Sequence, residues 1–303
     1  MGIARIGASI IQIPMLWNLH PASRKYNKFV QNFNLAIQRV IARYEEVSGF
    51  EEKISKDNEN DDSNDSMLAL MSNAGFSREV IADEIKTMLG AGYETTSTTV
   101  ELLLVMLALY PKYQNECRQE VDAIFNNDIK CPSGKLTLET LSEMKHLERC
   151  LFETMRMYPA GPIVGRKLET ALKINNELEI PVGTTVGIPI VLLHRCPKNF
   201  PEPDQFQPDR FLAENCIKRH PIRTCRFQRV LGVALVPEIR FLFLAMKLAI
   251  MEAKTLVAYI LREFEVETSD KIEDVTHIPS ITVQLERGYY FRFKKRMDVP
   301  AGV

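Results

Sequence analysis

Residues 77–110 limit most strongly what this chain can become. Ser77 is a good N-cap, Glu79 in the first turn complements the positive end of a helix dipole, and Pro111 stops the run. Between them, Ile81, Ile85, Leu89, Leu102, Leu103, Val105, Met106, Leu107 and Leu109 become almost continuous toward the C-terminal end. A helix apolar on all its faces is buried on all its faces, so this one is expected to cross the middle of the protein.

The centre of that helix is badly composed for helix stability. It reads Gly90-Ala91-Gly92-Tyr93-Glu94-Thr95-Thr96, followed by Ser97, Thr98 and Thr99. Glycine and β-branched residues both weaken a helix interior. Small residues let a flat ligand approach the backbone, and a hydroxyl that bonds a carbonyl one turn earlier opens the helix locally. A threonine-rich kink with a solvated Glu94 is the alternative.

Elsewhere the pattern is also mainly helical. Phe29, Val30, Phe33, Ile37, Val40 and Ile41 predict an amphipathic helix over 24–44. Residues 45–65 are acidic and poor in large apolar groups, which predicts a mobile surface linker. Leu141, Met144, Leu147, Leu151 and Met155 predict a helix ending near Pro159, and Glu153 and Arg156 share one of its faces three residues apart. Ile163-Val164-Gly165-Arg166 and residues 172–186 read as strands with turns at Asn175-Asn176 and Pro181-Val182-Gly183, and a C-terminal hairpin is expected from Ile281 to Phe291.

Composition excludes several classes. A net charge of −1 over 303 residues offers no basic face for nucleic acid. The six cysteines show no C-x-x-C pair, so their spacing indicates neither a zinc site nor a disulfide framework, and they read as reduced thiols. No apolar run is long enough to span a bilayer, although Ile10, Ile11, Ile13, Met15, Leu16 and Trp17 could touch a membrane surface.

Taken in order, Ala91-Gly92-Tyr93-Glu94-Thr95-Thr96, then Glu153-Thr154-Met155-Arg156 before Tyr158-Pro159, then Pro208-Asp209-Arg210-Phe211 resemble the C-terminal portion of a cytochrome P450 of the microsomal family-4 type. The resemblance implies a P450-like fold, mainly α with a small β region, lacking the N-terminal part, with the whole of 1–303 one partial domain. It implies haem as cofactor, with Ala91 and Gly92 beside it, Glu94 and Thr95 delivering protons, and Arg166 reaching a propionate. Glu153, Arg156 and Arg210 become a buried structural network. The implied reaction is insertion of one oxygen atom from O2 into a small apolar substrate. The implied partner is NADPH-cytochrome P450 reductase, on the cytosolic face of the endoplasmic reticulum membrane.

The pattern departs where the family places Phe-x-x-Gly-x-Arg-x-Cys-x-Gly, the loop whose cysteine ligates haem iron. Here residues 222–236 read Ile-Arg-Thr-Cys-Arg-Phe-Gln-Arg-Val-Leu-Gly-Val-Ala-Leu-Val, and Cys225, the nearest thiol, lacks the turn glycines that such a ligand needs. No metal ligand is therefore assigned. The genetic code offers an explanation. Cys225 through Gly232 can be encoded TGC CGT TTC CAG CGG GTC CTC GGN, and grouped from a preceding G the same letters give Val-Pro-Phe-Pro-Ala-Gly-Pro-Arg. Continued in that frame, Val233-Ala234-Leu235-Val236 permits x-Cys-Ile-Gly, which completes the motif. Residues 222–236 then represent an out-of-frame loop, and residues 237–244 a junction before the helix beginning at Ala245. Two readings stay open: a monooxygenase whose loop is displaced by one frame, or a catalytically inactive remnant or interaction protein.

Overall fold

A computed structural model describes residues 22–54, 67–175, 177–217, 238–275, 277–278, 284–285 and 288–297. The chain divides into two compact units at Ala91–Gly92, inside the long helix anticipated from the sequence.

The first unit holds helix α1 (Ala22–Ile54), α2 (Met67–Asn73) and the start of α3 (Arg78–Leu109). Ile37 and Ile41 of α1, Met71 of α2, and Ile81 and Ala82 of α3 form its core. Arg78 fastens the same surface, donating to Gln38 Oε1 at 3.3 Å and pairing with Glu45 Oε2 at 3.1 Å. Helix α1 corrects two expectations. It runs through 45–54, where a linker was expected, because Glu45, Glu46, Glu51, Glu52 and Lys53 are good helix formers; residues 55–66 lie outside the described residues. Its buried stripe is also narrower, since Phe29 and Val40 are exposed.

In the second unit, Leu102, Leu103, Val105, Met106 and Leu107 of α3 are all buried. Each such side chain contributes roughly 1.5–3 kcal/mol through removal from water. They pack with α4 (Pro111–Phe125), α5 (Leu138–Glu143), α6 (Lys145–Met157) and the C-terminal half of α9 (Glu238–Glu263). Pro111 does more than stop α3. It occupies the first turn of α4, where its missing N–H removes no intrahelical bond. The helix expected before Pro159 is two helices that meet at Met144, and α5 opens on a reciprocal cap between Thr137 and Thr140. Helix α9 begins at Glu238, so the segment 238–244, read from the sequence as part of a junction, is helical.

The β structure is small and antiparallel. Strand β1 (Ile163–Lys167) pairs with β4 (Thr185–Pro189), and β2 (Leu172–Lys173) with β3 (Glu179–Ile180). Gly183, at φ +82°, supplies the left-handed residue in the turn before β4. A short helix α7 (Ile190–His194) follows, then a 3-10 turn over Pro208–Phe211 and α8 (Ala213–Ile217). The C-terminal pairing differs from the expected hairpin. Strand β8 (Phe291–Lys295) pairs with β5 (Phe264–Thr268), which directly continues α9, while β6 (His277–Ile278) pairs with β7 (Gln284–Leu285). Leu285 lies in β7, whose partner the sequence did not indicate, while Ile281 and Val283 lie outside the described residues. Residues 1–21, with the apolar cluster considered for a membrane surface, lie outside the described residues, and among those described no helix is long and apolar enough to cross a membrane.

Candidate functional site

Helix α6 presents Glu153 and Arg156 three residues apart, which places both on one face. That face is completely enclosed, and Glu153 is 0% and Arg156 2% exposed. Two such charges survive burial only when their hydrogen-bonding capacity is filled. Arg156 donates through Nε to Glu153 Oε2 at 2.7 Å and through Nη2 to Oε1 at 2.9 Å. Its Nη1 donates to the His194 carbonyl at 3.0 Å, and its guanidinium lies over the Phe200 ring at 5.2 Å. Glu153 Oε1 also accepts from Arg210 Nε at 3.2 Å and from the Gln207 backbone N–H at 2.9 Å. Arg210 in turn donates to the Glu202 carbonyl at 2.7 Å.

One carboxylate thus joins α6 to the turn carrying Pro208–Phe211, a segment more than fifty residues away in sequence. Burial draws the Arg210 pKa down, against the opposing pull of Glu153. Glu202 takes φ +49°, a left-handed conformation that costs a non-glycine residue about 1 kcal/mol or more. That conformation is found where the Glu202 carbonyl meets Arg210.

The central residues of α3 are arranged quite differently. The helix is continuous through the glycine and threonine run. Two hydroxyls fold back as the composition anticipated: Thr99 Oγ1 donates to the Thr95 carbonyl at 2.8 Å, and Ser97 Oγ to the Glu94 carbonyl at 3.2 Å. Ala91, Gly92 and Glu94 are exposed, Thr95 is half-buried, and Tyr93 is 78% exposed. A Cβ built on Gly90 or Gly92 would meet nothing within 4 Å. Thr96 carries a buried hydroxyl without a hydrogen-bond partner among the described residues. Arg166, on β1 opposite Val186, is exposed and donates to the carbonyl of its own neighbour Gly165 at 3.1 Å. Glu153, Arg156 and Arg210 are therefore brought together, whereas no bond links Arg166 to Glu94 or Thr95 among the described contacts.

The open space at Gly92 beside the exposed Tyr93 ring leaves that stretch of the helix surface unfilled. The donor set does not suit thiolate-ligated haem iron, which needs an accessible cysteine. Cys117, Cys131 and Cys150 are buried in packing, Cys196 follows α7, and Cys216 sits in α8 with its thiol 3.8 Å from the Arg210 carbonyl. Cys225 lies outside the described residues. The described residues do not complete a haem–thiolate site.

Sequence spacing gave no sign of another group that the fold assembles. Cys117 Sγ of α4 lies 3.7 Å from Cys150 Sγ of α6, and Cys150 Sγ lies 3.7 Å from His146 Nε2. Glu120 of α4 holds this region in place, its carboxylate accepting the backbone N–H groups of His146 at 2.8 Å and Leu147 at 2.9 Å at the start of α6. A carboxylate there satisfies two orphan donors and complements the helix dipole.

The family model for cytochrome P450 matches residues 6–227. The chain is 31% identical over 225 residues to cytochrome P450 4c3 of Drosophila melanogaster, covering 73% of this chain and 39% of that protein. Identity to cytochrome P450 4V2 of Mus musculus is 30% over 227 residues, covering 74% and 40%. Among solved structures, the cytochrome P450DA heme domain superposes with a TM-score of 0.70 at 23% identity over 97% of this chain and 59% of that one. A cytochrome P450 described as CYP102L1 gives 0.69 at 19% identity, over 95% and 60%. The mainly helical architecture with small antiparallel sheets is the P450 fold, and the chain belongs to the cytochrome P450 family. It spans about two fifths of the length of the curated relatives it matches.

Proposed function

We propose that this chain carries the scaffold of a haem–thiolate monooxygenase, an enzyme that inserts one oxygen atom from O2 into an apolar organic substrate, and that residues 222–236 stand where its ligand loop belongs. The closed Glu153–Arg156–Arg210 network carries this reading. An exposed i,i+3 ion pair is common and contributes little. A fully buried carboxylate shared by two arginines from distant segments is neither common nor useful unless a specific architecture depends on it.

In this reading residues 1–303 form part of a single P450 domain. Ala91 and Gly92 admit the flat cofactor, Glu94 and Thr95 are the proton-handling pair, Arg166 meets a cofactor carboxylate, and Glu153, Arg156 and Arg210 are architectural. Electrons come from NADPH-cytochrome P450 reductase, at the cytosolic face of the endoplasmic reticulum membrane. No step is assigned to this chain as written, because its donor set lacks the thiolate. A frame shift over residues 222–236 accounts for the difference, since the shifted reading yields the complete ligand motif.

A second reading, a catalytically inactive remnant or interaction protein, is favoured by one observation: no cysteine in 222–236 is followed two residues later by glycine. A carbon monoxide difference spectrum separates the two. The frame-corrected, full-length protein is expected to give the band of thiolate-ligated haem, and the chain as written none. Absence of that band from the corrected protein would leave the remnant reading standing, and its presence in the uncorrected chain would sink the frame explanation.

A further inference from the structure

We propose that Cys117, His146 and Cys150 form a site for a zinc-class d10 cation joining α4 to α6, with Glu116, paired with His146 at its rim, swinging in to complete a tetrahedral set. The inference is independent of haem and of the proposed function.

His146 and Cys150 are four residues apart on α6, so both project from one face, and that face meets Cys117 of α4. The three ligand atoms lie within 4.8 Å of one another. Zinc–sulfur bonds of about 2.3 Å at a tetrahedral angle place two sulfurs about 3.8 Å apart, and a sulfur and an imidazole nitrogen about 3.6 Å apart. The observed separations are 3.7 Å for Cys117 Sγ to Cys150 Sγ and 3.7 Å for Cys150 Sγ to His146 Nε2. Glu116 Oε2 approaches the same Nε2 to 3.1 Å, close to the roughly 3.3 Å expected between nitrogen and oxygen ligands of one zinc ion. The two edges at Cys150 already have the size that a small cation needs, and Glu116 closes on the sulfurs when the ion enters.

The chemistry selects the cation. Two thiolates and an imidazole favour zinc or another soft ion over magnesium or calcium, which require oxygen ligands. Both cysteines are buried, while the Glu116 side chain is 39% and the His146 side chain 12% exposed, so the carboxylate side provides the entrance. Glu120 and the stacked Tyr113 ring hold His146 in position before any ion arrives. Binding exchanges two thiol protons for the cation and releases them to solvent.

One neighbour opposes binding. Arg149 donates to His146 Nδ1 at 2.7 Å, which fixes the proton of the neutral ring on Nε2, where the cation must sit. Binding therefore requires the proton to move to Nδ1 and Arg149 to turn away. Arg149→Gln supplies a carbonyl that can accept the Nδ1–H, and should tighten zinc binding by about tenfold, the scale on which such supporting bonds act.

The test uses the full 303-residue chain. Prepared with zinc and dialysed, it is expected to retain about one equivalent by elemental analysis. With cobalt(II) replacing zinc it should show thiolate-to-metal charge transfer in the ultraviolet and tetrahedral bands in the visible. Cys131→Ala, which removes a buried thiol outside the cluster, should keep the metal, and Cys117→Ala with Cys150→Ala should lose it. The cobalt spectrum of the unaltered protein decides the matter even if the double variant fails to fold. An absence of thiolate–cobalt bands, retention of zinc by a folded double variant, or looser binding by Arg149→Gln would each overturn the site.

Discussion

At the scale of single residues, burial decides which charges matter. Glu153 and Arg156 were readable as a pair from their spacing, and Arg210 only through the family pattern, because nothing local says that a residue 57 positions away shares the same carboxylate. Arg156→Leu should cost about 3–5 kcal/mol of folding stability, since it removes the bidentate partner of a buried carboxylate and leaves Glu153 Oε2 without its arginine bond. Lys173→Ala, which breaks an exposed pair with Glu179 at 3.8 Å, should change stability by no more than about 0.5 kcal/mol. Urea titration of both variants measures the contrast, and similar midpoints would refute the assigned role of the network. Gly92 is the opposite case. It lies within α3, and a Cβ added there has open space around it, so Gly92→Ala should stabilise the ligand-free chain by about 0.5–1 kcal/mol. The same methyl should weaken haem retention in the frame-corrected protein, and thermal melts with haem titration would show the two effects diverging.

Among elements, the sequence disclosed which segments are helical better than how they are joined. The apolar run in α3 was legible from period alone, and Pro181-Val182-Gly183 marked the turn before β4. The continuation of α1 to Ile54 was not, because a run of charged helix formers reads the same in a helix and in a linker. The partner of β8 was equally hidden, since strand character does not specify register. What joins these pieces is a small set of polar bridges. Gln114 of α4 donates through Nε2 to the Leu107 carbonyl of α3 at 3.1 Å and to the Val266 carbonyl of β5 at 2.8 Å, while its Oε1 accepts the Val266 N–H at 3.0 Å. Gln114→Leu removes these three bonds and a fourth, which Arg118 Nη2 donates to Gln114 Oε1 at 3.1 Å, and should cost about 2–4 kcal/mol, leaving two carbonyls and one backbone N–H without their side-chain partner. Hydrogen exchange would locate the loss at Val266, and unchanged protection there would show that Gln114 fills space only.

For the whole molecule, family and fold were legible because three short motifs stand in the right order, and all three fall within the match over residues 6–227. The cysteine–histidine cluster was illegible because Cys117 stands 33 residues before Cys150, and His146 four residues before Cys150 on one helix is a pair too common to signal a site alone. The central claim is that a P450 scaffold has been separated from its ligand loop by a change of reading frame. Sequencing the transcript, with matching genomic DNA, across the codons for Asn215 to Lys254 tests it most directly. The account predicts an in-frame Phe-Pro-Ala-Gly-Pro-Arg-x-Cys-Ile-Gly in the expressed message. A transcript that encodes residues 222–245 as they stand would contradict it, and haem–thiolate chemistry would then be withdrawn for this protein.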